Sequence, residues 1–280
     1  MIYKELEKIA QGQKERGNSK LYIRNILKEY LQVYILNYIY TSPKYSKELI
    51  FTGGTCLRHF YNLGRLSEDL DFDYDNSIDT QELTDDLLEY FKKKYKVSKV
   101  YGSVKQSGKQ ILLKFPLLKE LDLVSENESE VLYLKLDLQK NLSARYDTQI
   151  SSKSLMGFNF VARHYDLATL MSGKVAAILS RKRFVGKEDR ESIKGRDYYD
   201  LLWYLKKRIQ PNMGRVCDIL GKQVTKKELK EELNRRVEIL VTKYRNDFES
   251  DLLPLIENTD FIPVYVQNYE EEYRREIEYL

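Results

Sequence analysis

The chain has 280 residues, of which 42% are hydrophobic, so it can bury a sizeable core in one large domain or two smaller ones and is not intrinsically disordered. Its two cysteines and two histidines are too few for a disulfide framework or a cysteine zinc site, so oxygen atoms should hold any metal ion. The net charge is +4, but residues 151–250 carry 22 Lys and Arg against 13 Asp and Glu, whereas residues 51–150 carry 14 against 17, and this segregation suits metal ions with polyphosphate or nucleic acid.

The first half of the chain is predicted to mix helices and strands. The opening segment mixes acidic and basic residues, unlike a secretory signal, and the apolar runs are shorter than the roughly 20 residues that cross a bilayer, so we expect a cytoplasmic protein. The predicted helices cover residues 2–14, 19–40 and 79–95, with a shorter one from Thr55. The predicted strands cover residues 49–51, 70–74, 97–104, 110–115, 131–138 and 155–163.

Beyond residue 165 the pattern becomes helical. The predicted helices cover residues 166–181, 197–207, 226–248 and 264–280. The sequence therefore predicts an α+β first half, with a mixed sheet flanked by helices, followed by an all-α second half, with the boundary near residue 164.

Acidic residues alternate with apolar ones in the strand at residues 70–74. Side chains alternate between faces of a strand, so Asp69, Asp71 and Asp73 should share one face. Carboxylates crowded together repel one another unless a cation lies among them, and oxygen ligands of this kind suit Mg²⁺ or Mn²⁺. A solvent-facing strand with acidic residues is the alternative.

Two further elements support a site. Gly53, Gly54 and Thr55 lie at a predicted strand-to-helix turn, where glycines let a phosphate approach the backbone, the helix N-terminus favours an anion, and the Thr55 hydroxyl can donate a hydrogen bond. An ordinary turn is the alternative. Asp137 lies on the polar side of the strand at residues 131–138, and it joins the first carboxylates if the two strands are neighbours.

These motifs resemble a known family. The turn followed by a D-x-D motif is similar to the polymerase-β-type nucleotidyltransferase superfamily. The wider succession resembles the AbiEii/AbiGii toxin family, which includes MenT-like toxins, over residues 49–204: Gly53 to Arg58, Arg65 to Phe72, Lys174 to Arg181, and Arg196 to Leu201.

The resemblance implies roles for individual residues. Asp69 and Asp71 would bind the catalytic metal, together with Asp137, which is also the candidate base. The residues assigned to the nucleotide are Gly53, Gly54, Thr55, Arg58, Ser67, Lys174 and Arg181. Asp197 would be the fourth-motif aspartate, with Asp200 as the alternative. Residues 1–164 would form the catalytic domain, and residues 165–280 a helical domain that contributes Lys174 and Asp197. On a helix, Lys174 and Arg181 share a face, as do Asp197 and Asp200, although a solvated basic stripe and simple ion pairs are alternatives.

The function that the resemblance implies is transfer of a nucleoside monophosphate from an NTP to the tRNA 3′ end, with Mg²⁺ or Mn²⁺ as cofactor. Such a protein would be the toxin of a toxin–antitoxin or phage-defence (abortive infection) system, with a cognate antitoxin as a further partner and no membrane. The basic region at residues 151–250 favours an RNA acceptor. A small-molecule or protein hydroxyl acceptor, or a catalytically silent nucleotide- or RNA-binding module, are the alternatives; the three aspartates argue against silence because they would repel a phosphate. The preferred NTP, the acceptor, the antitoxin and the oligomeric state stay open.

Overall fold

The computed structural model describes residues 2–181, 183–185 and 190–280. The chain divides into two compact units: Met1–Asn141 with Thr148–His164, and Leu142–Asp147 with Tyr165–Leu280. The segment Leu142–Asp147, which the predicted boundary assigned to the first half, thus belongs to the second unit. Among the described residues, no helix combines the length and the apolar character needed to cross a membrane.

A seven-stranded mixed sheet forms the centre of the first unit. Its strands are β1 Leu49–Thr52, β2 Leu70–Tyr74, β3 Tyr101–Lys105, β4 Gln110–Pro116, β5 Val131–Lys140, β6 Thr148–Leu155 and β7 Phe158–Tyr165. They lie in the order β3-β4-β5-β2-β1-β7-β6. β2 is parallel to β5 and β1 is parallel to β7, whereas β1–β2, β3–β4 and β4–β5 are antiparallel.

Strand β5 shows why the sheet has one buried and one polar face at its centre. Leu132, Leu134, Leu136 and Leu138 are at most 1% exposed, because alternate side chains of the strand enter the core. Asp137 has the opposite parity and is half-buried. The core leucines thereby fix the face on which this carboxylate lies.

Four helices accompany the sheet: α1 Ile2–Glu15, α2 Lys20–Thr41, α3 Gly53–Tyr61 and α4 Thr80–Glu89. The hydroxyl of Ser19 caps α2 by accepting a hydrogen bond from the backbone N–H of Tyr22 at 3.2 Å. A π-helical turn, Tyr90–Lys94, follows α4. The strand predicted from residue 97 begins only at Tyr101, because the N–H of Val97 bonds to the carbonyl of Phe91 (3.1 Å) and the chain is still turning there.

The second unit is mainly helical. Its helices are α5 Leu167–Ser180, α6 Gly195–Lys206, α7 Met213–Leu220, α8 Lys226–Lys243, α9 Arg245–Leu252 and α10 Phe261–Glu276. A two-stranded antiparallel sheet, β8 Arg183–Val185 and β9 Arg190–Ser192, joins them. The predicted fold class is confirmed, with this small sheet added to the helical half.

Two local predictions were wrong, and further elements were missed. The predicted strand at 155–163 spans a hairpin turn, where Met156 and Gly157 adopt φ angles of 50° and 80°. The helix predicted over 226–248 is two helices, since Tyr244 leaves the helical conformation at φ −119° and ψ 24°. Strand β6 and helix α7 were not predicted.

Candidate active site

Two carboxylates lie side by side on the sheet of the first unit. Asp71 of β2 and Asp137 of β5 are register partners on neighbouring parallel strands. Side chains in register on adjacent parallel strands project from the same face, with the strands about 4.8 Å apart. Gln110 on β4 donates a 2.7 Å hydrogen bond to Asp137 Oδ1 and orients that carboxylate. The structure thus makes neighbours of the two strands whose adjacency the sequence left open.

Gly53 lies directly against Asp71. It begins helix α3 with a φ of +74°, a left-handed conformation that favours glycine. A β-carbon at this position would stand 1.9 Å from Oδ2 of Asp71. Only glycine leaves room here for the carboxylate and for any group that binds beside it.

The next glycine contacts the loop that precedes β2. A β-carbon on Gly54 would lie 2.9 Å from Nη2 of Arg65 and 2.9 Å from Oγ of Ser67. Both of those side chains are buried. Gln32 of α2 holds the loop by donating to the carbonyls of Ser67 (3.2 Å) and Glu68 (2.9 Å). The predicted residues Gly54 and Ser67 are therefore neighbours.

Arg65 is a site neighbour that sequence reasoning did not single out. It is 1% exposed and donates a 2.8 Å hydrogen bond to the carbonyl of Leu66. Its position two residues before Ser67 in the matched motif was the available signal, but a single arginine in sequence does not reveal its burial.

Thr55 is engaged within the fold. Its side chain is fully buried, and its hydroxyl donates a hydrogen bond to the carbonyl of Asp69. The hydroxyl proton is thereby used within the protein, and a contact between Thr55 and a phosphate stays a prediction. Thr55 fixes the residue from which β2 begins.

Arg58 is likewise engaged within the fold. Its Nε donates to Oε1 of Glu29 at 2.7 Å, and its Nη1 donates to the carbonyl of Leu63 at 3.1 Å. These bonds tie α3 to α2 and to the residues after α3. A contact between Arg58 and a nucleotide stays a prediction.

The remaining predicted residues form a charged cluster within the second unit. Lys174 Nζ lies 2.7 Å from Oδ1 of Asp197 and 2.8 Å from Oδ2 of Asp200. Arg181 pairs with the other carboxylate oxygen of Asp197. Lys174 and Arg181 therefore share a face, and both candidate aspartates bind the same lysine. Asp197 contacts both cations.

Electrostatics keep Asp197 ionised. Burial alone would raise its pKa, but Lys174, Arg181 and Lys194 outweigh that effect and hold the pKa well below its usual range. An aspartate with such a low pKa is a poor proton acceptor at neutral pH. Asp197 is thus suited to position Lys174 and Arg181 rather than to take up a proton.

Neither histidine belongs to a group of three or more metal-ligating side chains among the described residues. His59 is buried, and burial, with help from Arg58 and Lys153, lowers its pKa to about 3, so the ring is neutral. Both ring nitrogens of His164 lie within hydrogen-bonding distance of hydroxyls, those of Tyr61 (3.2 Å) and Ser151 (2.9 Å). Carboxylates are the donors that remain.

The donor set fits a magnesium ion only in part. Across the described ranges, no three or more histidines, cysteines and carboxylates stand close enough to form a metal site by themselves, and the group of Asp69, Asp71 and Asp137 stays a prediction. Asp71 and Asp137 still supply two adjacent carboxylates. Magnesium is usually bound through one or two carboxylates together with water and substrate phosphates. The pair therefore fits a metal ion whose coordination a substrate completes.

Comparison with solved structures shows a shared fold. MenT4, nucleotidyltransferase toxin Rv2826c from Mycobacterium tuberculosis H37Rv, is 14% identical with a TM-score of 0.52, covering 99% of this chain and 96% of its own. JHP933 from Helicobacter pylori is 16% identical with a TM-score of 0.44, covering 90% of this chain and 94% of its own. No curated protein sequence matches the chain.

Comparison with protein families covers most of the sequence. Residues 35–263 match the family described as nucleotidyl transferase AbiEii toxin, type IV TA system. That span includes both strands of the carboxylate pair and the charged cluster of the second unit. The chain belongs to the AbiEii nucleotidyl transferase toxin family.

Proposed function

We propose that the protein transfers a nucleoside monophosphate from an NTP to the 3′ end of RNA, with tRNA as the acceptor, in a reaction that depends on a divalent metal. The observation that carries this proposal is the in-register pair Asp71 and Asp137, with Gly53 lying against Asp71. As a toxin, the protein would arrest translation by modifying tRNA, and a cognate antitoxin would restrain it.

The turn before α3 is suited to a polyphosphate. Gly53 and Gly54 have no side chains to block approach, and the N-terminus of α3 presents backbone N–H groups and a positive dipole end. The carboxylates of Asp71 and Asp137 would repel a phosphate by themselves. A bound Mg²⁺ or Mn²⁺ would neutralise charge on the phosphates and so make this combination productive.

Asp137 is the candidate for receiving the proton of the attacking hydroxyl. Gln110 holds one of its oxygens, which leaves the carboxylate in a fixed orientation on the polar face of the sheet. Asp69 and Asp71 would serve as metal ligands, together with Asp137. The reaction needs no covalent enzyme intermediate, because alignment and charge neutralisation supply the acceleration.

The choice of RNA as acceptor rests on charge. Residues 151–250 carry a net charge of +9, whereas residues 251–280 carry 2 basic against 8 acidic residues. A basic surface attracts the phosphates of RNA and releases bound counterions. A small-molecule or protein hydroxyl would not require this excess.

The test is transfer of label from each α-³²P NTP to total RNA in the presence of Mg²⁺, with purified tRNA as a second acceptor. We expect the label on tRNA 3′ ends, its loss with EDTA, and its loss in Asp71→Asn. Asp85→Asn, which changes an exposed carboxylate of α4, is the matched control and should behave as the unmodified protein. Label on a small molecule or a protein instead of RNA would overturn the acceptor. NTP binding without transfer to any acceptor would mean a silent binding module.

A further inference from the structure

The second unit contains a pocket of about 430 Å³ whose lining includes the predicted residues Arg181 and Asp197 together with residues to which no role was assigned. It lies between the end of α5, strand β9, the start of α6 and helix α8. Its basic lining residues are Arg181, Lys194, Arg235, Arg236 and Lys243. Two carboxylates, Glu191 and Asp197, also line it, and Glu232 beside it accepts hydrogen bonds from Arg235 and Arg236, so the five described cations exceed these three carboxylates by two.

The acidic residues around the pocket are already matched by cations. Asp197 is held by Lys174 and Arg181. Glu191 accepts a 3.1 Å hydrogen bond from the hydroxyl of Tyr244 and lies 3.6 Å from Lys243. These carboxylates therefore have little capacity left to neutralise a further lysine.

Lys194 is that further lysine. It is half-buried in the pocket wall, and within the described part of the chain no carboxylate stands within ion-pair distance of its ammonium group. Burial, with repulsion from Arg196, Arg181 and Lys174, lowers its pKa to about 8 although Asp197 opposes the shift. Asp197 is shared with Lys174 and Arg181 and offsets only part of this penalty, so binding of a further anion would stabilise the half-buried Lys194.

The end of α5 contributes an opposing effect that the protein offsets. Carbonyl groups at a helix C-terminus repel anions. Arg236 of α8 donates a 2.8 Å hydrogen bond to the carbonyl of Leu179, and the N–H of Arg181 bonds to the carbonyl of Ala177 at 3.0 Å. These carbonyls are thereby partly neutralised, which lowers their repulsion of an anion in the pocket.

We infer that this pocket binds a phosphate group carried by a nucleotide, either a backbone phosphate of the RNA acceptor or the triphosphate of the NTP. A phosphate carries charge of the required sign, and its several acceptor oxygens can be shared by Lys194, Arg181 and Lys243. The volume of the pocket lies in the range of small-ligand sites. The inference rests on the proposed function in naming nucleotides as the source of the phosphate.

Binding without turnover tests the inference separately from catalysis. The probes are a 5′-phosphorylated single-stranded RNA 12-mer, followed by fluorescence anisotropy without NTP or metal, and each of the four NTPs, followed by calorimetry. Lys194→Met removes the charge and keeps the length of the side chain, whereas Lys194→Arg keeps the charge. Lys227→Met, on α8 with its lysine side chain 86% exposed and outside the pocket lining, is the control.

We expect Lys194→Met to weaken binding of one of the two ligands at least tenfold. Lys194→Arg should bind with nearly the affinity of the unmodified protein, and the affinity of Lys227→Met should change less than twofold. If RNA binding is lost, and the slope of log K against log salt concentration falls in magnitude by about one, the phosphate belongs to RNA. Loss confined to NTP would assign it to the triphosphate. Unchanged binding of both, equal losses in Lys194→Met and Lys227→Met, or no binding of either probe by the unmodified protein would overturn the inference. If Lys194→Met lost binding as expected but the unmodified protein transferred no NMP, only the proposed function would be overturned.

Discussion

Replacing Gly53 by alanine is the sharpest test of the carboxylate site. The backbone there has a φ of +74°, and an alanine in a left-handed conformation costs about 1–2 kcal/mol. The new β-carbon would also stand 1.9 Å from Oδ2 of Asp71, so the carboxylate must move by about 1.5 Å to restore an ordinary contact. Leaving its preferred rotamer costs Asp71 a further ~0.5–1.5 kcal/mol. The total loss of unfolding free energy should be about 2–3 kcal/mol.

Strain and displacement can be separated with a second glycine. Gly17 has a φ of +79° but nothing within 4 Å of its added β-carbon, so Gly17→Ala should lose about 1–2 kcal/mol of stability and no activity. Gly53→Ala should lose about 100-fold in NMP transfer, since a catalytic group misplaced by about 1 Å can cost that much. Urea denaturation and labelling with α-³²P NTP measure the two effects. Full transfer by Gly53→Ala would show that Asp71 does not act in the reaction as positioned here.

Other consequences of the structure can be measured in the same assays. Asp71→Asn and Asp137→Asn should each reduce transfer at least about 100-fold while leaving the melting temperature unchanged or higher, because one of two neighbouring like charges is removed; near-normal transfer would exclude them as ligands. Thr55→Val should lower stability by about 1–2 kcal/mol by leaving the carbonyl of Asp69 unpaired, and Thr55→Ser should restore it; equal stability of both variants would contradict that role. Asp197→Asn should cost about 3 kcal/mol at pH 7, because its cations lose a buried partner. Since the folded pKa of Asp197 is depressed, its contribution is fully present above the unfolded pKa of about 4 and is lost as pH falls through the lower folded value, so the stability difference between wild type and Asp197→Asn should shrink in acid. If the stability difference between wild type and Asp197→Asn stayed constant down to pH 2, the neighbouring cations would not be lowering the pKa of Asp197.

Several elements could be predicted because the information is local. The helix after Ser19 follows from a capping residue and a long apolar pattern, and the strand at residues 70–74 from strict alternation. Strand β6 lacks such a signal, since its sequence is polar and it lies at the sheet edge, where one side needs no partner strand. Helix α7 has only 8 residues, too few for helical periodicity to be distinguished from a turn.

The hydrogen-bond partners of polar side chains could not be predicted from local sequence. The resemblance places Thr55 and Arg58 beside a nucleotide, and within the fold the Thr55 hydroxyl donates to the carbonyl of Asp69 and Arg58 Nε donates to Glu29. Neither partner is near in sequence, being 14 and 29 residues away. A hydroxyl or guanidinium takes whichever acceptor packing brings close, and that choice is invisible before the chain is folded.

The sequence by itself determined the faces of the strands and the position of the turn. Alternating leucines assign Asp137 to the polar face of β5, and two consecutive glycines after a strand assign the turn to Gly53. Tertiary structure alone decided that Asp71 stands beside Asp137 and that Asp197 and Asp200 share Lys174. A strand's periodicity specifies which side each residue faces but not which strand lies next to it or in which register, because those depend on packing between segments that are distant along the chain.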